Sequence, residues 1–280
     1  MTDDPILSIL RALPGQALQM ARRDALDALA GQARETAAAL SPDDLGTFDA
    51  LFAMVLRYRT YLILQSLGPF LGDAVRHGLF EGLRMLPESF GSHPLPRRIG
   101  CYEREIQTIL AARAPCWDRV VDIGCAEGWY LAGLARRFGL PCQGFDVAPS
   151  AWRLARANAA LNGVEALVTV AERPCGGEEL ASLATPRTLF IVDIEGAETD
   201  LFAQIDPERL ARAEFIIETH GGSAAPLAER LGRGHRIELV WPGPRPIEDY
   251  PTLWRLQEID RSLAIWEGRG LDPWLHCVPR

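Results

Sequence analysis

The sequence contains no lysine, so all 29 of its basic residues are arginines, and these form no basic cluster. The 37 acidic residues outnumber them and give a formal net charge of -8. Polynucleotide binding draws most of its non-specific affinity from the neutralisation of phosphates. The charge balance therefore disfavours a nucleic-acid partner.

Paired cysteines and zinc-binding patterns are also absent. The six cysteines form no C-x-x-C pair and have no histidine at zinc-ligand spacing. They have the pattern of reduced core residues in a cytosolic protein. The first residues, Met1-Thr2-Asp3-Asp4-Pro5, lack the positive and apolar regions of a signal peptide. We therefore expect a cytoplasmic protein.

Long apolar runs without charges are missing as well. The most hydrophobic window, residues 48–71, carries Arg57 and Arg59 at its centre. Arginine is costly at the middle of a bilayer. This window predicts a buried or oligomer-facing helix, and no membrane partner is expected.

Apolar residues recur at helical spacing from residue 6 to about residue 88. Ser41-Pro42-Asp43-Asp44 is a helix start with an N-cap, a proline and acids in the first turn, and Gly68-Pro69 is expected to end that helix after Leu67. Residues 1–98 are thus predicted to form a helical cap or dimerisation region, with a possible homodimer. This region closes with a linker rich in proline and glycine between residues 87 and 98, after which a helix runs to about Ala114.

From Arg119 onward, strand patterns alternate with helical ones, which predicts a parallel sheet and an α/β domain at residues 99–280. The predicted strands are residues 119–123, 142–146, 166–170, 188–193, 214–219, 235–240 and 274–278. The predicted helices include residues 129–138, 149–162, 225–231 and 252–266, together with a helix that contains residues 200–203 and extends beyond them.

The stretch from Val120 to Gly128 is predicted to be a buried strand, a glycine turn and the start of a helix at Trp129. This arrangement places backbone N–H groups and a helix N-terminus at the edge where parallel sheets bind nucleotide-like ligands. The spacing is Asp122-x-Gly124-x-x-x-Gly128 rather than G-x-G-x-x-G, and a pyrophosphate would meet the acid unfavourably. A NAD-dependent oxidoreductase is therefore disfavoured, whereas the amino group of a methionine moiety would tolerate the acid. Asp146, after the second strand, occupies the position that hydrogen-bonds ribose.

At these residues the chain resembles the class I S-adenosylmethionine-dependent methyltransferases. The resemblance implies a Rossmann-like seven-stranded sheet, with the last strand returning as an edge and a helical N-terminal extension. It also implies S-adenosylmethionine as cofactor, with the glycine turn against its methionine part and Glu172 accepting from its adenine amino group. The implied cofactor-binding residues are Tyr102, Asp122, Gly124, Cys125, Ala126, Gly128, Asp146, Val147, Glu172 and Asp193.

A second motif, Asp193-Ile194-Glu195-Gly196-Ala197-Glu198, ends the fourth predicted strand. It is similar to the element typical of FkbM-like methyltransferases, and the resemblance spans roughly residues 100–222. A Tyr-Glu pair upstream of the first strand is common in that branch, which implies that Tyr102 and Glu103 touch the cofactor end of the site. The Asn-Pro-Pro-aromatic motif of amino-methyltransferases is absent.

The fifth predicted strand ends in Glu218-Thr219-His220. Glu218 and His220 are two residues apart and face the same side, so both approach Asp193 if strands four and five are neighbours. His220 is the natural general base for a hydroxyl acceptor, with Asp193 or Glu218 to orient it or to bind the substrate directly. Asp193, Glu218 and His220 are also candidate ligands of Mg²⁺ or Mn²⁺.

The sequence therefore predicts an S-adenosylmethionine-dependent methyltransferase that methylates a small-molecule or sugar hydroxyl in natural-product or glycan biosynthesis. One alternative is N-methylation of a small molecule or peptide, which needs no strong base. Another is a nonenzymatic subunit that binds the nucleoside and acts through its helical N-terminal region.

Overall fold

The computed structural model describes residues 31, 34–35, 38, 45–86, 94–268, 270 and 272–280. They fall into two compact units. The helical unit contains the described residues of 1–72, 93–99 and 246–266, and the sheet unit those of 73–92, 100–245 and 267–280. This division differs from the predicted domain boundary at residue 98, because residues 73–86 belong to the sheet unit and residues 246–266 belong to the helical unit.

The α-helices of the described residues are α1 (Leu45–Leu71), α2 (Pro94–Ile99), α3 (Arg104–Arg113), α4 (Trp129–Phe138), α5 (Pro149–Leu161), α6 (Gly177–Leu183), α7 (Glu198–Ala203), α8 (Ala224–Leu231) and α9 (Glu258–Ala264). Short 3₁₀ helices lie at Ala114–Cys116, Pro207–Arg209, Ile247–Asp249 and Pro251–Arg255. Among the helices so described, none is both long and apolar enough to cross a membrane.

The predicted end of the first helix at Gly68-Pro69 is wrong, because α1 continues to Leu71. Pro69 lies inside the last turn of α1, where it lacks the N–H that would donate to the carbonyl four residues earlier. Gly72, with φ +71°, then donates its N–H to the Gly68 carbonyl and ends the helix. The predicted helix start at Ser41-Pro42-Asp43-Asp44, the helical spacing at residues 6–30 and the linker residues 87–93 lie outside the described residues.

Two further helical predictions are corrected. Residues 73–86 are not a helix but a turn closed by an antiparallel bridge between Ala74 and Arg84, with glycines at positive φ inside it. The predicted helix at 252–266 is interrupted, because Leu256 and Gln257 are extended between Pro251–Arg255 and α9. The predicted linker is also shorter, since α2 begins at Pro94.

Arg59, at the centre of the most hydrophobic window, is paired within the helical unit. Its Nε and Nη2 donate to the two carboxylate oxygens of Asp260 at 2.7 and 2.9 Å, and Asp260 is buried. A two-bond arginine–carboxylate pair gives a charged residue a partner away from water. The pair explains how α1 carries Arg59 within a largely apolar segment.

The sheet unit contains β1 (Arg119–Ile123), β2 (Cys142–Phe145), β3 (Val168–Ala171), β4 (Thr188–Val192), β5 (Glu214–Glu218), β6 (His235–Val240) and β7 (Trp274–Pro279). Their order is β3-β2-β1-β4-β5-β7-β6, and β7 is antiparallel to both of its neighbours. The predicted fold class, a Rossmann-like seven-stranded α/β sheet, is confirmed.

The prediction that the last strand forms an edge is wrong. β7 lies between β5 and β6, and β6 is the edge strand. The burial of the two strands agrees with this order, because Trp274, Leu275 and Cys277 of β7 are buried while most of β6 is partly exposed.

Alternate residues of each strand enter two different cores. Val120, Ile191 and Ile216 pack on one face with side chains of α3 and α4. Phe190 and Phe215 pack on the other face with side chains of α6, α7 and α8. The carboxyl ends of β1, β4 and β5 therefore meet at one edge, and the loops that follow them form the candidate site.

Candidate functional site

Gly124 follows β1 directly and its backbone leaves no room for a side chain. It has φ +85°, and a Cβ built on it would lie 1.7 Å from the carbonyl oxygen of Asp193. Its N–H donates to the carbonyl of Phe145, at the end of β2. Gly128, also at positive φ, precedes α4, and a Cβ built on it would lie 3.0 Å from Ala155. The turn is thus held between the ends of β2 and β4, where only glycine fits.

The carboxylate of Asp146 is hydrogen-bonded to the backbone of this turn and of the residues after β2. Oδ2 accepts the N–H of Ala126 at 2.9 Å, and Oδ1 accepts that of Ala148 at 2.8 Å. Ala126 has φ +44°, a left-handed conformation for a residue other than glycine. Each carboxylate oxygen keeps a second lone pair, so the predicted bond to a ribose hydroxyl stays compatible with this geometry. The next residue, Val147, is 71% exposed.

Four carboxyl groups come together beside the turn. Asp122 is buried, and this burial raises its pKa well above the ordinary value, with further contributions from the charges of Asp193, Asp146 and Glu103. Glu103, buried just before α3, has a left-handed backbone at φ 49° and ψ 47° and accepts a hydrogen bond from the hydroxyl of Tyr130. Like charges in a desolvated region repel one another, so this region attracts a cation.

Asp193, the residue after β4, lies between the turn and the loop after β5. Burial and the charge of Glu103 raise its pKa to about 6, while a hydrogen bond with Glu218 and the charge of His220 oppose the rise. A hydrogen bond between two carboxyl groups requires a proton on one of them. This contact between Asp193 and Glu218 therefore needs one of the two groups to be protonated.

His220 is oriented by Glu198, the first residue of α7. Its Nδ1 lies 2.9 Å from Oε1 of Glu198, which is fully buried and also accepts the N–H of Gly196. Because a carboxylate oxygen only accepts hydrogen bonds, Nδ1 of His220 is assigned as the protonated donor, which leaves the lone pair on Nε2. The expectation that Asp193 or Glu218 orients His220 is therefore wrong.

The Nε2 atom of His220 faces three further carboxylates. It lies 3.9 Å from Asp193 Oδ1, 3.7 Å from Glu195 Oε2 and 4.0 Å from Glu218 Oε1. The predicted proximity of these side chains is confirmed, since β4 and β5 are neighbours. Donor atoms of Asp193, Glu195 and His220 lie within 4.8 Å of one another, so Glu195 rather than Glu218 completes a donor set for a metal ion.

Three predicted cofactor residues have other surroundings. The ring of Tyr102 is buried edge-on against Trp129, with centroids 6.0 Å apart. Glu172 is exposed and forms an ion pair with Arg156 at 2.6 Å. Cys125 is buried in the core, where burial raises the pKa of its thiol. Contact of these residues with a cofactor stays a prediction.

The structure adds contacts that sequence reasoning missed. Glu198 belongs to the motif after β4, but its role depends on the position of His220, 22 residues away. Arg245 and Glu267 reach the segment around Glu103 from loops far along the chain, and no local pattern marks them. His276 has an acidic partner at the start of β5, because its Nε2 lies 2.7 Å from Glu214.

No family model and no curated protein matches this chain. Solved structures with a similar fold include the METTL16 methyltransferase domain (TM-score 0.49, 13% identity, 76% of this chain and 96% of that one). Another is ribosomal protein L11 methylase from Lactobacillus delbrueckii subsp. bulgaricus (TM-score 0.47, 15% identity, 71% of this chain and 85% of that one). A third is magnesium protoporphyrin IX methyltransferase from Synechocystis with bound SAM (TM-score 0.41, 18% identity, 62% of this chain and 76% of that one). Scores below 0.5 at these identities transfer no activity or substrate to this chain.

Proposed function

We propose that this protein transfers a methyl group from S-adenosylmethionine to a hydroxyl group of a small molecule or sugar. The observation that carries the proposal is the position of Asp193. Its carbonyl oxygen touches the glycine turn at Gly124, and its carboxylate faces Nε2 of His220 at 3.9 Å. A ligand held at the turn thus has its reactive end beside a candidate base.

The charge of the site supports the choice of cofactor. S-adenosylmethionine carries a positive sulfonium and a positive ammonium group. The carboxylates of Glu103, Asp122, Asp146 and Asp193 surround the turn and favour such charges, whereas they repel the pyrophosphate of a dinucleotide. This argument supports S-adenosylmethionine over NAD.

The chemical step needs alignment and the removal of one proton. When bound, S-adenosylmethionine would supply the methyl group: the acceptor oxygen would bond to the methyl carbon as the sulfur–methyl bond breaks in line with it, and S-adenosylhomocysteine would leave with the electron pair. The hydroxyl proton passes to Nε2 of His220. Glu198 on Nδ1 fixes the imidazole ring and stabilises the imidazolium that forms, as the aspartate does in a Ser-His-Asp triad.

Asp193 and Glu218 are proposed to act on the acceptor side of His220. Their carboxyl groups lie 3.9 and 4.0 Å from Nε2. At that distance they accept hydrogen bonds from other hydroxyl groups of a polyol and stabilise the charged imidazole. Both effects favour a neutral, hydroxyl-rich acceptor over an anionic one.

A divalent cation such as Mg²⁺ is proposed as an alternative way to activate the acceptor hydroxyl, because an ion bound to Nε2 of His220 occupies the lone pair that the general base uses. Asp193, Glu195 and His220 offer the oxygen and nitrogen donors that Mg²⁺ or Mn²⁺ accepts, and Oδ1 of Asp193 is buried with no hydrogen-bond partner in the described part of the chain. Such an ion lowers the pKa of a bound hydroxyl. Titration with Mn²⁺, followed by electron paramagnetic resonance, measures its binding without reference to activity, and an unchanged Mn²⁺ signal would contradict this alternative.

Calorimetric titration with S-adenosylmethionine, S-adenosylhomocysteine and NADH tests the cofactor. We expect micromolar affinity for the first two ligands and none for NADH. Asp146→Ala should weaken binding about tenfold or more, which is about 1.4 kcal/mol. Glu229→Gln, an exposed glutamate of α8, is the matched control and should leave binding unchanged. Absence of binding to the wild type would overturn the proposal.

A screen of hydroxylated and amino acceptors then separates the remaining alternatives. Transfer to a hydroxyl that is lost in His220→Ala supports O-methylation. Transfer to an amine that survives His220→Ala favours the N-methyltransferase. Binding of the cofactor without transfer to any acceptor favours a nonenzymatic subunit.

A further inference from the structure

β6 is the edge strand of the sheet, and alternate residues of its backbone point away from the sheet. Arg280, directly after β7, donates its N–H to the carbonyl of Gly234, directly before β6. Hydrogen-bonded pairs alternate along an antiparallel ladder, so the odd-numbered residues of β6 face away from β7. Pro279, opposite one of them, has no N–H to donate and agrees with this phase. The N–H and C=O groups of Ile237 and Leu239 therefore face outward, and the described part of the chain offers them no backbone partner.

The side chains of β6 have opposite charges on one face and apolar groups on the other. Arg236 and Glu238 are two residues apart, so they share a face, and both are exposed. Within residues 45–86 and 94–268, Arg236 forms no ion pair. The side chain of Glu238 is 59% exposed, with one oxygen 3.7 Å from Nδ1 of the buried His276. On the opposite face, Leu239 is 49% exposed. This edge therefore has charges of both signs that are open to a further partner.

A second copy of β6 complements these charges in one antiparallel register. The outward backbone groups can pair only when odd-numbered residues of the two copies oppose each other. A two-fold axis through Ile237 then sets Arg236 of each copy directly opposite Glu238 of the other. An axis through residue 236 or 238 would set like charges against each other. An axis farther along the strand in either direction would oppose neither charge with another.

We propose that β6 is a self-association surface, through which two copies of this chain join their sheets edge to edge around Ile237. The outward backbone groups of Ile237 and Leu239 supply the hydrogen bonds. The two symmetric pairs of Arg236 with Glu238 fix the register, because they occupy the non-hydrogen-bonded positions where cross-strand side chains lie closest. On the other face, Leu239 of one copy lies diagonal to Ile237 of the second copy.

An interface along one strand is small, so we expect a dissociation constant in the micromolar range. β7 separates β6 from β5, so this surface is distinct from the candidate site at Asp193 and His220. Self-association is therefore measured without cofactor or acceptor, and its outcome is independent of the proposed function.

Sedimentation equilibrium of the full chain, from about 1 to 200 μM, tests the surface. The apparent mass of the wild type should rise with concentration toward twice that of one chain. Arg236→Glu and Glu238→Arg each set like charges opposite each other at both symmetric positions, so each should weaken self-association about tenfold or more. The control is Arg153→Glu, a reversal of an exposed charge on α5, which packs against β3 at the opposite edge, and it should behave as the wild type.

An equimolar mixture of Arg236→Glu and Glu238→Arg separates a specific interface from general damage. Each variant meets opposite charges at both positions on the other, so the mixture should form a heterodimer with about the affinity of the wild type. Sedimentation velocity with a fluorescent label on one variant detects it. Two separately misfolded chains would not regain a specific association on mixing.

Ile237→Pro removes an outward N–H and leaves the ladder to β7 intact, so it should keep the fold, checked by circular dichroism, and abolish self-association. Together with Arg236→Glu it decides the result if Glu238→Arg fails to fold beside His276. A wild type with the mass of one chain at every concentration would overturn the proposal. A dimer that persists in both Arg236→Glu and Ile237→Pro would assign the interface to another surface, such as the predicted helical region, and would also overturn it.

Discussion

Glu214 and Glu218 begin and end β5 and face the same side of the sheet, yet their surroundings are opposite. Burial alone would raise the pKa of Glu214, but hydrogen bonds from His276, Arg113 and Trp117 lower it to about 2. Glu218 lies instead beside Asp193, a carboxyl group whose pKa burial raises to about 6.

The difference separates a carboxylate whose partners lie within the chain from one that is proposed to serve a ligand. At the amino edge of the sheet, the chain supplies every donor that Glu214 needs, so the buried charge is stable by itself. At the carboxyl edge, carboxyl groups face one another and a single imidazole, so a cation from outside the chain would stabilise them. Carboxyl groups without a counter-charge reduce the stability of the unliganded protein, and the same groups would give it affinity for a cationic ligand.

The largest expected effect is at the carboxyl edge, on catalysis. His220→Ala should lower the rate of methyl transfer to a hydroxyl acceptor by about 10²- to 10⁴-fold, because the transfer loses its general base. Affinity for S-adenosylhomocysteine should stay within about twofold, as judged by calorimetry. A variant with nearly full activity would remove His220 from the mechanism.

The next effect is at the amino edge, on stability. Glu214→Gln should reduce the free energy of unfolding at pH 7 by about 3 kcal/mol, because Arg113 and His276 lose their charged partner. The folded-state pKa of about 2 is depressed, so wild-type Glu214 stabilises the fold above pH ~4.5 and ceases to do so as the pH falls through ~2. Urea unfolding at pH 7 and at pH 3 measures the difference, and equal stability of both proteins at pH 7 would contradict the comparison.

Glu198→Gln should lower the rate of methyl transfer by about 10- to 100-fold, a smaller effect than that of His220→Ala. The amide retains an oxygen for Nδ1 but stabilises the imidazolium less. We expect the pH–rate profile to shift toward acidic pH, because without the negative charge of Glu198 the imidazole gives up its proton more readily and the free base persists at lower pH. A pH–rate profile identical to that of the wild type would assign Glu198 a purely structural role.

The smallest expected effect is a gain in stability from Asp193→Asn. The folded-state pKa of about 6 is raised, so the wild type loses stability as the pH rises from about 4 to 6, and the variant does not. With the side chain 32% exposed, solvent screening reduces the gain to about 1 kcal/mol at pH 7.5, and none is expected below pH 4. Urea unfolding at both pH values measures it, and a loss of stability at pH 7.5 would show that Asp193 is already compensated within the chain.

Much of the sheet could be predicted because its signals are local. Apolar runs and turn residues placed β1 and β6 at their observed bounds and the other strands within two residues. The insertion of β7 between β5 and β6 could not be predicted, because strand order depends on pairing between distant segments. The bridged turn at 73–86 was missed because its apolar residues also fit a helical period.

The sequence by itself determined that Asp122, Asp193 and Glu218 share one edge of the sheet, because the carboxyl ends of parallel strands lie together. Tertiary structure alone decided which carboxylate holds Nδ1 of His220 and which residues hold Glu103. Glu267 lies 164 positions from Glu103 and meets it only through the packing of the loops around β7. Such contacts have no period along the chain, so only the folded protein brings them into view.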